Sequence, residues 1–150
     1  MARKSKGIKY YEAIGRRKSA VARVRLYLSA KNSELNIPDE TISKGDIFIN
    51  HIRFNQYFPG SLYETLVNAP LMLTNALNRF VVSVRVLGGG KRGQLDAVIL
   101  GISRALEKVD KENRVKLKPQ GLLTRDARVR ERRKVGTGGR ARRKKQSPKR

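Results

Sequence analysis

The glycine-rich segment Gly88-Gly89-Gly90-Lys91-Arg92-Gly93 has the G-x-G-x-x-G pattern of a dinucleotide-binding turn and lies between a predicted strand and a predicted helix. Glu112 follows about 20 residues later, where such folds place a ribose-binding carboxylate. That fold also needs a parallel strand after the helix, and residues 116–119 are too few and too basic to form one. We therefore interpret the segment as a helix start whose bare backbone lies close to phosphates, aided by Lys91 and Arg92. A plain tight turn is the alternative.

The acidic and nucleophilic side chains do not form a catalytic set. Neighbouring carboxylates lie in a predicted loop or at a charged helix end, where solvated side chains are usual: Asp39, Glu40, Asp110 and Glu112. His51 is the only histidine and lies in a predicted strand, so no histidine-rich metal site can form. Because the chain has no cysteine, thiol catalysis, disulfides and cysteine-ligated zinc are excluded. We expect no enzyme activity, no cofactor and no small-molecule substrate.

The charge of the chain requires a polyanionic partner. Its 35 Lys and Arg against 12 Asp and Glu give a formal charge of +23, whereas a soluble domain usually carries about 2 to 8 in magnitude. Self-repulsion of this size destabilises a compact fold unless phosphates neutralise it. The net charge is +8 over residues 1–28, +4 over 29–123 and +11 over 124–150. The middle therefore reads as an ordinary globular domain and the two ends as nucleic-acid-binding arms.

The sequence pattern predicts neither a signal peptide nor a membrane-spanning segment. The basic N-terminus is not followed by an apolar run of signal-peptide length. No window approaches the roughly 18 apolar residues that a membrane span needs. We therefore expect a protein of the cytosol or of an organelle interior, without a membrane partner.

Hydrophobic periodicity predicts the elements that must position these residues. Strands are predicted over 20–28, 47–54 and 80–87, with a possible short strand over 34–37 in a long connection. The strand over 20–28 alternates, with Arg23 and Arg25 on its outer side. A helix face is predicted over 94–109 and a shorter helix over 111–118. Ser61 and Glu64 fit a capping box, and Pro70 predicts two short helices rather than one long helix.

Two basic runs predict contact with nucleic acid. Gly15-Arg16-Arg17-Lys18 precedes the first strand, which places three cations at one edge of the sheet, and residues 124–134 form a second run. Arginine outnumbers lysine in both, and its planar fork pairs with phosphate and stacks on bases. A solvated face usually mixes charges of both signs, whereas residues 124–150 hold thirteen Lys and Arg against only two Asp and Glu. Fully extended, residues 124–150 would span about 90 Å.

Five ordered motifs resemble the small ribosomal subunit protein nine family of bacterial or organellar type. They are Gly15 to Val24, Gly88-Gly89-Gly90 with Gly93-Gln94, Leu123 to Asp126 with Arg128, Glu131 to Gly136, and the ending from Ala141-Arg142-Arg143 to Lys149-Arg150. Together they extend over nearly the whole chain, from about Tyr10 to Arg150. Five matches in the family's order are far more specific than one basic run.

The resemblance implies an α+β fold, a two-layer α/β sandwich in which helices cover a four-stranded mixed sheet. It is similar to the second domain of ribosomal protein five, with a left-handed β-α-β crossover that runs against the general rule. The implied organisation is a basic extension over residues 1–8, a globular RNA-binding domain over 9–121 and an extended basic tail over 122–150. Residues 29–46 form an insertion where the family usually has a short turn.

The resemblance also implies a structural constituent of the small-subunit head, on a cytoplasmic or organellar ribosome. Its partners would be small-subunit ribosomal RNA, neighbouring head proteins and, through the tail, the anticodon stem-loop of peptidyl-site tRNA. The residues expected to bind ribosomal RNA are Arg16, Arg17, Lys18, Arg23, Lys91, Arg92, Arg125, Arg128, Arg132, Arg133, Lys134, Arg140, Arg142 and Arg143. Those expected at tRNA are Gln146, Lys149 and Arg150. Ser147 and Pro148 stand where the family usually has an aromatic and a hydroxyl residue.

Two functions of other classes are kept as alternatives. A nucleotide-dependent enzyme would bind a dinucleotide at the glycine-rich segment, which equilibrium dialysis would detect. A DNA-compacting basic protein would share the charge but would bind duplex DNA as well as structured RNA. Such a protein would also not co-sediment with small ribosomal subunits in high salt, and that measurement separates the alternatives.

Overall fold

The computed structural model describes residues 3–5, 8–28, 42–132 and 135. In these parts the strands are β1 Arg3–Ser5, β2 Ile8–Arg17, β3 Ala20–Tyr27, β4 Ile47–Ile49, β5 Ile52–Arg53 and β6 Val81–Leu87. The helices are α1 Phe54–Tyr57, α2 Ser61–Leu73, α3 Lys91–Val109 and α4 Asn113–Leu117. The possible strand over 34–37 and most of the 29–46 insertion lie outside the described residues.

One mixed sheet contains all six described strands, in the order β1-β2-β3-β6-β4-β5. The central β2, β3 and β6 pair antiparallel, with Ala13 opposite Val24 and Val24 opposite Val84. Only β4 and β6 pair parallel, so the chain between them, through β5, α1 and α2, forms a crossover. The mixed sheet agrees with the expectation from sequence, but the expected four strands become six because β1 and β5 add short edges.

The long helices pack on one face of this sheet, giving an α+β fold in two layers. The even-numbered residues of β3 and β6 point toward α3, and all of those from Ala20 to Leu26 and from Val82 to Val86 are buried. Leu95, Val98 and Ile102 of α3 are fully buried against them. The expected helix over 94–109 is confirmed and begins three residues earlier, at Lys91.

Strand β2 was not predicted, and its glycine explains the close packing that stabilises it. A Cβ at Gly15 would lie 1.9 Å from the carbonyl oxygen of Ala97 and 2.6 Å from the amide nitrogen of Gly101, so the strand and α3 meet backbone to backbone. Burial against the helix outweighs the low strand propensity of glycine. The basic run 15–18 therefore precedes β3, as expected, and its first three residues also end β2.

The expected strand over 47–54 is interrupted. A two-residue turn, Asn50-His51, separates β4 from β5, and both residues have positive φ, 50° and 70°, as in a type I′ turn. The Asn50 side chain donates to the Val86 carbonyl at 3.0 Å and accepts from the Val86 amide at 2.9 Å. His51 therefore lies in an exposed turn rather than in a strand.

The prediction of two helices meeting at Pro70 was wrong, since α2 continues through it. Pro70 is buried with Val67 and Leu71, and this tertiary packing offsets the roughly 3 kcal/mol that an interior proline costs. The capping box was also wrong. Gly60 occupies the N-cap and no side chain caps the helix, because Ser61 already belongs to the first turn.

Candidate nucleic-acid interface

The tip of the β2–β3 hairpin carries the first basic run. Arg17 pairs with Ala20, so Lys18 and Ser19 alone form the turn, and Lys18 adopts a φ of 51°. Successive strand residues point to opposite faces. Arg16 is therefore exposed on the face without helices, whereas Arg17 points to the helix side and is only 14% exposed. The run presents two exposed cations, Arg16 and Lys18, rather than three.

The glycine-rich turn packs directly on this hairpin tip. Gly88 and Gly89 have φ of 74° and 68°, and a Cβ at Gly88 would lie 2.5 Å from the Ser19 carbonyl oxygen. Gln94 donates to the Gly88 carbonyl at 3.2 Å and accepts from the Tyr57 hydroxyl at 3.0 Å. The turn is thus a tight turn that joins β6, α3 and the hairpin. After α3 no strand occurs among residues 110–132, and a dinucleotide-binding unit needs one there.

Two exposed cations stand at the start of α3. Lys91 and Arg92 are its first residues, and the first turn contains no acidic residue. The helix macrodipole makes this end positive, so cations here are unfavourable without an anion. Arg92 is partly offset by Asp96, with Nε and Oδ1 3.6 Å apart on the exposed surface. An anionic partner would neutralise both the helix end and its two cations.

Arg17 joins the hairpin to the first residues of the tail. Its Nη2 lies 2.9 Å from Asp126 Oδ2, and its Nη1 donates to the carbonyl oxygens of Arg128 at 3.0 Å and Asp126 at 3.3 Å. Its Nε lies 3.6 Å from Asp96. We call residues 124–128 the tail root. The donors of Arg17 are thus engaged inside the protein, which makes Arg17 a link between the domain and the tail root.

Asp126 organises the tail root through a second arginine. Its carboxylate accepts from the Arg128 amide at 2.9 Å and from the exposed Arg128 guanidinium, with Oδ2 2.6 Å from Nη2. These hydrogen bonds from Arg128, with the charges of Arg128 and Arg17, hold the pKa of Asp126 well below its usual range. The carboxylate stays ionised at neutral pH and keeps the two arginines together.

The face of the sheet without helices is basic in the half nearest the hairpin tip. We call this half the open face; it consists of Ile14, Arg16, Val21, Arg23, Arg85 and Leu87. Arg23 lies directly opposite Arg85 in the β3–β6 register. No ion pair with a described carboxylate is found for Arg16, Arg23 or Arg85. Like charges opposite each other in a sheet are destabilising, so this face is suited to an anion.

A neighbouring arginine on the same side of the sheet is already neutralised. Arg25 Nε donates to Glu12 Oε2 at 2.8 Å, and its guanidinium lies 4.8 Å from the centre of the Tyr10 ring. Tyr10, Tyr27, Phe48 and Val81 form a small buried cluster beyond it. The open face therefore ends at Arg25, where an ion pair and an aromatic cluster replace unpaired cations.

The structure brings together many of the expected residues but describes only part of them. The exposed or half-buried set around the hairpin tip comprises Arg16, Lys18, Arg23, Lys91, Arg92, Arg125 and Arg128, and Arg132 is exposed further along the tail. The other expected residues lie outside the described part of the chain: Arg133, Lys134, Arg140, Arg142, Arg143, Gln146, Lys149 and Arg150. Their roles, and those of the described set, stay predictions.

Sequence reasoning missed Arg85. The alternation in Val81–Leu87 places it on the side opposite Val82, Val84 and Val86, which is the same signal that identified Arg23 in β3. Its importance depends on the register that sets it opposite Arg23. The alternation within one strand does not show which residue of the neighbouring strand lies opposite.

The described residues form neither a membrane-spanning helix nor a cluster of metal ligands. None of their helices combines the length and the apolar character needed to cross a membrane. Among the same residues, no three His, Cys, Asp or Glu side chains come together as a possible metal site.

Comparisons with known proteins relate this chain to ribosomal proteins. Residues 15–150 match the family described as Ribosomal protein S9/S16. The chain is also similar to a protein of Thermus thermophilus named small ribosomal subunit protein uS9. The two are 45% identical over 126 residues, which cover 84% of this chain and 88% of the relative. A match over this share of both chains identifies the family, and the chain belongs to the S9/S16 family of ribosomal proteins.

Proposed function

We propose that this protein binds ribosomal RNA in the head of the small subunit and that its tail contacts peptidyl-site tRNA. Membership in the family makes it a structural ribosomal protein of the small subunit that takes part in translation. The name of the Thermus thermophilus relative supports the same subunit. The observation that carries the RNA-binding proposal is the open face together with the hairpin tip, where Arg16, Lys18, Arg23 and Arg85 converge without an ion pair to any described carboxylate.

The RNA would lie across three adjoining surfaces. Arg16, Arg23 and Arg85 present guanidinium groups on the open face, and Lys18 extends from the hairpin turn. Lys91 and Arg92 stand at the start of α3, beside the glycine-rich turn that packs on Ser19. Each phosphate neutralised here releases counterions, so affinity should fall steeply with salt. Recognition would rest on the shape and backbone of the RNA rather than on base edges.

The tail would carry the second contact. Residues 124–150 hold a net charge of +11, and the tail root fixes where they leave the domain. Arg125, Arg128, Arg132, Arg133, Lys134, Arg140, Arg142 and Arg143 would continue along ribosomal RNA. Gln146, Lys149 and Arg150 would contact the anticodon stem-loop. If subunits lacking residues 146–150 bound peptidyl-site tRNA as tightly as complete subunits, the tRNA contact would be wrong.

We infer that the parallel β4–β6 crossover is the left-handed connection implied by the family resemblance, as in the second domain of ribosomal protein five. The ribosome would be that of a bacterial cytoplasm or of an organelle, and neighbouring head proteins would be partners.

Two triple variants that lose the same number of positive charges test whether RNA binds at this surface. The first removes three cations from the interface: Arg16→Gln, Arg23→Gln and Arg85→Gln. The control removes three exposed lysines at the α4 end of the molecule: Lys111→Gln, Lys116→Gln and Lys118→Gln. Binding to small-subunit ribosomal RNA is measured across salt concentrations. The first variant should lower the slope of log affinity against log salt by about 2 to 3, and the control by much less. Equal losses would mean that net charge, not this surface, drives binding.

A further inference from the structure

Aliphatic side chains are interspersed with the arginines of the open face. Each of the three central strands contributes one arginine and one aliphatic residue to it: Arg16 and Ile14 in β2, Arg23 and Val21 in β3, and Arg85 and Leu87 in β6. The strand register sets these six side chains in two rows of three across the sheet. Each row therefore contains both cationic and aliphatic groups.

The three aliphatic side chains are exposed to solvent. Leu87 is 76% exposed, Ile14 42% and Val21 39%. They lie on the side of the sheet away from α3 and are not among the core residues, so they do not hold the helices on the sheet. Strand propensity accounts for the β-branched Ile14 and Val21, but not for Leu87, which is unbranched at Cβ and ends β6. The open face therefore offers apolar contact as well as positive charge.

RNA matches both properties only where its bases are unpaired. In a duplex the flat faces of the bases are stacked on each other, and the outer surface consists of phosphates, ribose hydroxyls and base edges. Phosphates would satisfy Arg16, Arg23 and Arg85 but would leave the aliphatic side chains against polar groups. An unpaired nucleotide presents the apolar face of its base together with its phosphate, and guanidinium planes also stack on bases.

The dimensions of the open face suit bases that lie flat on a sheet. Side chains opposite each other on neighbouring strands are about 5 Å apart, so the two rows extend about 10 Å across the three strands. In a common RNA-binding module, an open sheet face stacks two or three bases on aromatic rings. None of the six residues here is aromatic, because Tyr10 and Tyr27 are buried beyond Arg25. Aliphatic side chains and guanidinium planes therefore form the stacking surface.

We propose that the open face binds unpaired nucleotides of ribosomal RNA, with the base faces against Ile14, Val21 and Leu87. The three arginines pair with the phosphates of these nucleotides or stack on their bases. The inference rests on the proposed function, because that function supplies the RNA at this face. It adds the form of the RNA, which is a loop, a bulge or a single-stranded junction rather than a helix. It also gives the aliphatic side chains a role in binding.

Other occupants match the open face less well. The tail of this chain would be repelled, since residues 124–150 carry a net charge of +11. A second copy that docked through the same face would set arginines against arginines, and each copy carries +23. A protein segment would need carboxylates for three arginines as well as apolar side chains. An acidic, leucine-rich peptide is therefore included in the test.

A single tryptophan on the open face tests the assignment, because the chain contains none. Leu87→Trp places the ring at an exposed position of the complete chain, and Val115→Trp, at a position of α4 that is 77% exposed, is the matched control. The probes are a single-stranded oligoribonucleotide and a blunt duplex that contains the same strand. A base stacked on the ring quenches its fluorescence, so the single strand should quench Leu87→Trp strongly and the duplex weakly. The single strand should also bind this variant about fivefold or more tighter than it binds the unchanged protein. Val115→Trp should respond equally to both RNAs.

Removal of the aliphatic groups at constant charge gives a second measurement. The double variant Val21→Thr with Leu87→Thr keeps every cation and the strand propensity. It should weaken single-strand binding by about tenfold and duplex binding by less than about twofold, with the salt slope unchanged. Val115→Thr is the control and should leave both affinities unchanged. Equal losses for the two RNAs, or no loss, would overturn the proposal. Quenching of Leu87→Trp by the duplex or by the acidic peptide that matched or exceeded quenching by the single strand would also overturn it.

Failure of the proposed function would give a different result. If neither RNA quenched Leu87→Trp, and the triple variant that removes the three arginines left the salt slope unchanged, RNA would not bind at the open face at all. If that triple variant lowered the slope while duplex and single strand quenched Leu87→Trp equally, RNA binding there would stand. Only the selectivity for unpaired nucleotides would then be wrong.

Discussion

Replacing Arg17 should release the tail root from the domain. The Arg17 guanidinium, only 14% exposed, contacts the Asp126 carboxylate at 2.9 Å and donates to the Arg128 carbonyl at 3.0 Å. Its bond to the Asp126 carbonyl, at 3.3 Å, is longer and weaker. Arg17→Ala removes all three contacts, while the bonds between Asp126 and Arg128 remain within the tail root itself.

The size of the effect follows from the two shorter contacts. In the closed state the tail root is bound to the domain through Arg17, and in the open state it is released. A hydrogen bond to a charged group typically favours the closed state by about tenfold or more. Because the tail-root partners of Arg17 are accessible to solvent, the strength of each contact should be near the lower end of this range. We therefore expect Arg17→Ala to raise the ratio of open to closed tail root by about 10- to 100-fold. Arg17→Lys keeps the charge but loses the planar fork, so it should fall between Arg17→Ala and the unchanged protein.

Electron spin resonance can measure this opening directly, because the chain contains no cysteine that would take up a label. Spin labels are attached at Ala127→Cys in the tail root and at Lys111→Cys after α3, both exposed positions. The unchanged protein should give one narrow distance distribution, and Arg17→Ala a broad one. Arg16→Ala is the matched control, since it removes a neighbouring exposed cation that makes no contact with the tail root. A narrow distribution in Arg17→Ala, or equal broadening in both variants, would refute the link.

Three further predictions concern the packing at two glycines, the ionisation of Asp126 and the contribution of Arg85 to RNA binding. In thermal unfolding, Gly15→Ala should destabilise the protein by about 4 kcal/mol or more, because the new Cβ would meet the α3 backbone. Gly93→Ala, whose Cβ would lie 3.7 Å from the nearest atom, should instead stabilise the protein by about 0.5–1 kcal/mol. The depressed pKa of Asp126 means that its contribution is present above the pKa of the unfolded chain and is lost only as pH falls through the lower folded value. The label distances should therefore hold from pH 7 to about pH 4 and broaden in stronger acid; broadening near pH 5 would contradict this. Arg85→Gln alone should lower the salt slope of RNA binding by about 0.7–0.9, and an unchanged slope would remove Arg85 from the interface.

Local patterns in the sequence were sufficient for several elements. The helix face over 94–109, the alternating strand over 20–28 and the valine-rich strand over 80–87 appeared in the structure where the sequence predicted them. Each depends on which residues share a face, and neighbours along the chain determine that. The wrong predictions occurred where long-range packing outweighs local preference. Pro70 stays inside a helix because it is buried, and Gly15 belongs to a strand because α3 lies directly against it.

The sequence by itself determined the family, the need for a polyanion and the concentration of charge at the two ends, because motifs and charges are properties of residue type. Only the tertiary structure decided what each cation contacts. Arg17 and Lys18 are neighbours in one basic run, yet the alternation of β2 and the position of the tail root give Arg17 protein partners and leave Lys18 exposed. Arg23 and Arg85 are 62 positions apart, yet strand pairing sets them opposite each other. The number of charged side chains is a property of the composition. Which groups those side chains contact depends on the distances between them, and the fold determines these distances.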